Sequence, residues 1–183
     1  MGQHRTGFFM KVIRLRTTAG WFFLMLLAVF SQPTRRSILM GLVLALSGEV
    51  VRTLSAGIIR KNEMLARCGP YSWCRHPLYF GSFLITLGTA LASNFLPLII
   101  LGIFLFGFFY IPTITAEEKY LAEKFGEEYL NYRKKTPVLL PRPGKTSWQE
   151  FSWENIRCNR EHINWLLLFA LFIWLALRQH FGI

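Results

Sequence analysis

Acidic residues are scarce in this chain: ten Asp and Glu stand against 21 Lys and Arg, a formal net charge of +11 over 183 residues. In a soluble chain that imbalance would suggest nucleic acid. Here the basic residues flank apolar runs instead of forming a separate module, so anionic lipid headgroups are the fitting counter-charge and no nucleic-acid partner is expected. Cysteine is scarce too. Cys68, Cys74 and Cys158 are odd in number and lack the paired two-residue spacing of a zinc site or redox motif, so no metal and no structural disulfide is expected. A small-residue cleavage pattern is missing after the first apolar run, which continues through Arg35 and Arg36 into a second. That run is expected to stay as a membrane helix rather than leave as a signal peptide.

Apolar residues are plentiful, at 52% of the chain with 17 phenylalanines, but polar breaks divide them. Five windows result, at about residues 17–31, 37–58, 78–93, 95–115 and 163–178. Against the ~20 residues a helix needs to cross ~30 Å of hydrocarbon, the first, third and fifth are short. The expected fold is all-α: a single polytopic bundle over 1–183, with about five transmembrane helices. Gln32-Pro33 joins the first two windows and Ser93-Asn94 the third and fourth, each as an antiparallel hairpin. Lys and Arg fix the expected orientation. With the N-terminus inside, seventeen fall on the inner side and three, Arg35, Arg36 and Arg178, on the outer side, Arg52 lying within a window. The N-terminus and the linker around residue 76 are therefore expected on the cytoplasmic face. Residues 116–135 set Tyr120, Leu121, Phe125, Tyr129, Leu130 and Tyr132 at helical spacing among charges, which describes a cytoplasmic amphipathic helix.

The stretch Cys68 to Gly81 carries more chemistry than a membrane linker requires. Pro70 and Pro77 fix its backbone, Gly69 and Gly81 permit close approach, and Arg75, His76, Tyr71 and Tyr79 crowd one membrane edge. A lone interfacial histidine is ordinarily structural. The hairpin of the third and fourth windows, however, returns the chain from Leu78 to Glu117 and Glu118 on the same face, and acids at a span's exit need a cationic partner. Aromatic faces, backbone donors and a carboxylate around one cavity would suit a ligand with a flat ring, hydroxyls and a positive centre.

The ordered set Gly69-Pro70-Tyr71, Arg75-His76-Pro77-Leu78-Tyr79-Phe80-Gly81, Glu117-Glu118, Phe125-Gly126-Glu127-Glu128-Tyr129 and Tyr132, closing on Val138 to Pro141, resembles the isoprenylcysteine carboxyl methyltransferase family. Gly48 and Arg52 upstream fit the same pattern, and the likeness covers about residues 46–142. It implies an integral membrane enzyme that passes a methyl group from S-adenosylmethionine to a lipid or lipidated acceptor. It also implies a division into an N-terminal hairpin (17–58), a methyltransferase core (63–142) and a C-terminal interfacial segment with the last helix (143–183). By position, the resemblance assigns Glu63, Met64, Leu65, Ala66, Tyr71, His76, Pro77, Leu78, Tyr79 and Glu117 to the cofactor. Arg75, His76 and Glu118 are the catalytic candidates.

One departure bears on the acceptor. Prenylcysteine-methylating members carry an arginine four residues before the first acid, where this chain has Thr113, which cannot form a bidentate clamp on a carboxylate. Arg52, Arg75 or Arg133 would then bind the substrate, or the acceptor is an amine or hydroxyl that needs His76 or Glu118 as a base. Two relatives of the reading remain open here: a phospholipid amine N-methyltransferase, and a sterol or enone reductase using a reduced nicotinamide dinucleotide. A non-enzymatic scaffold would show no cavity between Tyr71, His76 and Glu117. Trp148, Phe151 and Trp153 read as interfacial anchors, and Asn159-Arg160-Glu161-His162 as a polar cap on the last helix.

Overall fold

The computed structural model describes residues 2–59, 64–142, 144, 146–148, 151–159 and 161–182, with the backbone alone for 2–14. Among them the chain is entirely helical outside its loops: α1 (Gly2–Phe30), α2 (Arg35–Ile58), α3 (Pro77–Ala92), α4 (Leu96–Phe125), α5 (Glu127–Lys135), α6 (Trp153–Cys158) and α7 (Glu161–Phe181). Three helices, α2, α4 and α7, are long and apolar enough to cross a membrane, and two shorter apolar helices, 15–30 and 77–92, accompany them. The bundle is that of a polytopic helical membrane protein.

Hairpin geometry follows from the caps. Thr34 and Ser37 form a reciprocal capping box at the start of α2, and the Ser37 hydroxyl also donates to the Ala92 carbonyl at 3.2 Å, where α3 ends. The Gln32 amide donates to the Ser93 carbonyl at 2.7 Å, so both hairpin turns lie at one end of the bundle. Arg178 of α7 reaches the same end and donates to the carbonyls of Ser31, Ala28 and Val29 at 2.9, 3.0 and 2.8 Å, capping α1.

The tightest seam joins α2 and α3. A Cβ on Gly41 would lie 2.3 Å from the Gly88 carbonyl oxygen, and one on Gly48 2.6 Å from the Gly81 oxygen. Glycines spaced seven apart on both helices therefore let the backbones touch, the small-residue solution for helices in lipid, where no hydrophobic gain separates side chains from tails. The seam sets Arg52, one turn after Gly48, beside Ser82 of α3, to which its guanidinium donates.

The structure differs from the sequence expectation for 116–135. Residues up to Phe125 extend α4, which runs unbroken through Pro112, and the separate helix begins only after Gly126. Gly126 has φ +54°, a left-handed conformation that side-chain-bearing residues rarely adopt, and it turns α5 back toward the loop before α3. α1 likewise begins at Gly2, well before the apolar window opening at 17.

Candidate functional site

The site is built on the bend between α2 and α3. Gly69, at φ +54°, opens a 3₁₀ turn, Gly69–Ser72, and a Cβ there would collide with the Ile58 side chain at 2.1 Å. Pro77 starts α3 at the position where a missing N–H costs nothing, and this places His76 as its N-cap. The amides of Arg75 and His76 precede the helix and need partners elsewhere. They donate to the carbonyls of Pro137 and Val138 at 2.9 and 3.1 Å, while the Arg142 amide donates to Trp73 at 3.0 Å. The Tyr132 hydroxyl of α5 donates to the Tyr71 carbonyl at 2.6 Å. A strap of chain after α5 thus clamps the bend from outside.

Charge is arranged around the imidazole. Nδ1 of His76 lies 3.6 Å from Glu117 and Nε2 lies 3.4 Å from Glu118. Arg75 pairs with Glu118 at 2.7 Å and donates to the Arg133 carbonyl at 2.9 Å. The ring of Tyr79 stacks on His76 with centroids 5.6 Å apart, and Tyr110 meets Tyr79 edge-on at 5.2 Å. Histidine, two tyrosines and the first glutamate therefore form one continuous wall.

A cavity of about 510 Å³ opens against this wall. Of the residues singled out in the sequence, Arg52, Met64, Leu65, Ala66, Tyr71, Arg75, His76, Leu78, Tyr79 and Glu117 line it. Four do not. Pro77 is buried behind the lining as the first residue of α3. Glu118 faces Arg75 and His76, and Arg133 is half exposed, 3.8 Å from Glu118. Thr113 turns its hydroxyl back onto its own helix, donating to the Phe109 carbonyl at 2.7 Å. Glu63 and Arg160 lie outside the described residues.

Several lining residues escaped the sequence reading. Tyr110 of α4 and Arg16 of α1 lack any local motif. Glu161, read as a helix cap, lines the cavity and accepts from Arg52 at 3.0 and 3.3 Å, a pair 109 positions apart in sequence. Glu49, wholly buried one turn before Arg52, stands 3.8 Å from the Arg52 Nε. Tyr129 and Tyr132, read as the apolar face of an amphipathic helix, form part of the lining. The interfacial aromatics have a packing task as well: Phe151 covers Gly57 closely enough that a Cβ there would sit 2.5 Å away, while Trp153 remains exposed.

Two phenols in the lining have unused hydrogen-bonding capacity. The hydroxyls of Tyr71 and Tyr129 are buried without a partner. Burial holds the Tyr71 proton well above the ordinary tyrosine range and pushes Tyr129 up to about 12, so both stay neutral donors. Orphaned donors on residues that line a cavity are a cost unless a ligand takes them. The wall thus presents a carboxylate, phenol donors, aromatic faces and arginines. Among the described residues no group of three His, Cys, Asp or Glu is placed to hold a metal ion.

The segment that holds this site is similar to known proteins. The family model described as phospholipid methyltransferase matches residues 37–128, half of the chain, from the start of α2 past Glu117 and Glu118. Among curated proteins, the chain is 36% identical over 125 residues to Protein-S-isoprenylcysteine O-methyltransferase of Saccharomyces cerevisiae, covering 61% of this chain and 52% of that one. It is 42% identical over 115 residues to the protein of the same name from Xenopus laevis, covering 55% and 39%. A third relative, cobalt-zinc-cadmium resistance protein CzcN of Cupriavidus metallidurans, is 36% identical over 93 residues, covering 49% and 43%. The chain spans about half or less of the length of these relatives. With the matched segment holding both the glycine seam and the His76–Glu117 wall, the chain belongs to the phospholipid methyltransferase family, and isoprenylcysteine O-methyltransferases are among its relatives.

Proposed function

We propose that this protein is a membrane methyltransferase that uses S-adenosylmethionine to methylate a lipid-borne acceptor, a prenylcysteine-type carboxylate in the first instance. The observation that carries the reading is the meeting of His76 and Glu117, from two different helices, on one cavity that also holds the unpartnered Tyr71 hydroxyl. The volume, about 510 Å³, falls within the range of sites that enclose small ligands.

The residues fit the donor. Glu117 would hold its ammonium, Tyr71 would donate to its carboxylate, and the Tyr79 ring would face its positive sulfur by cation–π attraction. Backbone groups of Met64 to Ala66 would take the nucleoside end. S-adenosylmethionine, when bound, supplies an electrophilic methyl group on a sulfonium. The protein's part is to align acceptor and donor and to keep water out, and for a carboxylate acceptor no base is needed. Glu118, behind the wall and paired with Arg75, would position His76 rather than touch the acceptor.

A second reading, N-methylation of a phospholipid amine, is favoured by the family description and by Thr113, whose hydroxyl is held by its own helix. It would need a proton acceptor, and His76, which lines the cavity beside Glu117, is the candidate. A dinucleotide reductase fits less well. Its phosphates require several free cations, and of the three arginines that line the cavity among the described residues two are already paired with carboxylates. The charge bias, seventeen inner to three outer, supports a cytoplasmic cavity and N-terminus.

Calorimetry on detergent-purified protein tests this directly. S-adenosylhomocysteine is expected to bind and a reduced nicotinamide dinucleotide is not; the reverse result overturns the proposal. Labelled methyl donor offered with either N-acetyl-S-farnesylcysteine or phosphatidylethanolamine then separates the two acceptor classes.

A further inference from the structure

Among the described residues three arginines line the cavity, and two are compensated. Arg52 is paired with Glu161 and stands beside Glu49; Arg75 is paired with Glu118. Arg16 is different. Among the described residues its guanidinium meets no carboxylate at ion-pair distance, and it lies over the face of Tyr110, 5.4 Å from the ring centroid. An arginine at the edge of an apolar helix ordinarily extends into the headgroups. This one, next to the exposed Leu15, is partly buried and turned inward against α4.

From this geometry, and resting on the methyltransferase reading above, we infer that Arg16 and Tyr110 form an anion subsite that takes the negatively charged head of the membrane-borne acceptor. Tyr110 itself stands apart from the Glu117 end of the wall. Tyr110 precedes Glu117 by two turns of α4, about 10 Å along the axis toward the apolar part of the helix. That figure separates positions on the helix; the Arg16 charge itself reaches Glu117 and Tyr79, so S-adenosylhomocysteine affinity in Arg16→Gln is what separates an acceptor contact from a donor contact. The aromatic series Tyr110, Tyr79, His76 bridges the two ends, so an acceptor held at Arg16 would face the donor across the tyrosines. The subsite also supplies the cation that Thr113 cannot. It does so from α1, which lies wholly outside the family-matched residues 37–128. Acceptor choice thus belongs to a helix that the shared core does not include.

The charge could come from a carboxylate or a phosphate, and the test separates them. Full-length protein in nanodiscs of neutral lipid is titrated with S-adenosylhomocysteine, with N-acetyl-S-farnesylcysteine, with its uncharged methyl ester, and with dodecyl phosphate. Arg16→Gln is expected to weaken one anionic lipid about tenfold, the worth of one charge-assisted hydrogen bond, while affinity for the methyl ester and for S-adenosylhomocysteine stays unchanged. Loss confined to the farnesylcysteine assigns a carboxylate, and loss confined to dodecyl phosphate a phosphate. Tyr110→Leu should give a smaller loss with the same selectivity, which keeps the test readable if the arginine variant folds poorly. Unchanged anion affinity in both variants overturns the inference, and so does weakened S-adenosylhomocysteine binding in Arg16→Gln. If the unaltered protein fails to bind S-adenosylhomocysteine, the methyltransferase reading falls, while preference for the anionic lipid over its ester still reports on Arg16.

Discussion

At the end of the bundle where α1, α3 and α7 finish, Arg178 gives three hydrogen bonds to carbonyls of α1, and Ser37 and Gln32 tie one hairpin turn to the other. At the opposite end arginine and serine recur, now joined by glutamate, but they face one another around a cavity, and the hydroxyls of Tyr71 and Tyr129 have no partner. The same residue types close one end and leave the other unsatisfied. At the closed end the polar groups are used up locally except for the Ser31 hydroxyl, whereas those kept for a ligand are left with capacity at a cost the rest of the bundle must bear.

The largest break in this comparison comes from the seam beneath both ends. Gly48→Leu would drive a side chain into the Gly81 carbonyl and should destabilise the protein by about 3 kcal/mol or more, or prevent folding altogether. Thermal unfolding in detergent checks it, and an unchanged midpoint would mean that α2 and α3 are not in backbone contact.

Next in size is a change at the unsatisfied end alone. Glu117→Gln should weaken S-adenosylhomocysteine by about tenfold or more, the value of a hydrogen bond to a charged group, with little change in melting temperature. Glu127→Gln, on the exposed start of α5, should leave affinity as it was. Equal losses in the two variants would remove Glu117 from the site. Arg178→Gln sharpens the contrast from the other side. It should lower stability by about 2 kcal/mol by orphaning the α1 carbonyls, yet leave ligand affinity untouched.

Hairpins and motif were readable because they are local. Gln32-Pro33 and Ser93-Asn94 announce turns by residue type, and the Arg75-His76-Pro77 run is contiguous. Glu117 came into view because a hairpin of two apolar windows must return to its starting face. The extension of α4 beyond Glu117 was not readable, since the amphipathic pattern of 116–125 is that of any surface helix and only the φ of Gly126 marks the true break. Arg52 with Glu161, and Arg16 with Tyr110, were invisible for another reason. Each pairs residues about a hundred positions apart on helices whose rotation about their axes is set by packing, which periodicity does not encode.

The strap over the bend carries a consequence for how such a site can change over time. His76 and Arg75 are fixed through main-chain oxygens of Pro137 and Val138, atoms that every amino acid possesses. These contacts by themselves ask only that the strap keep its path, so they hand down the imidazole's location as a contour rather than as a spelling.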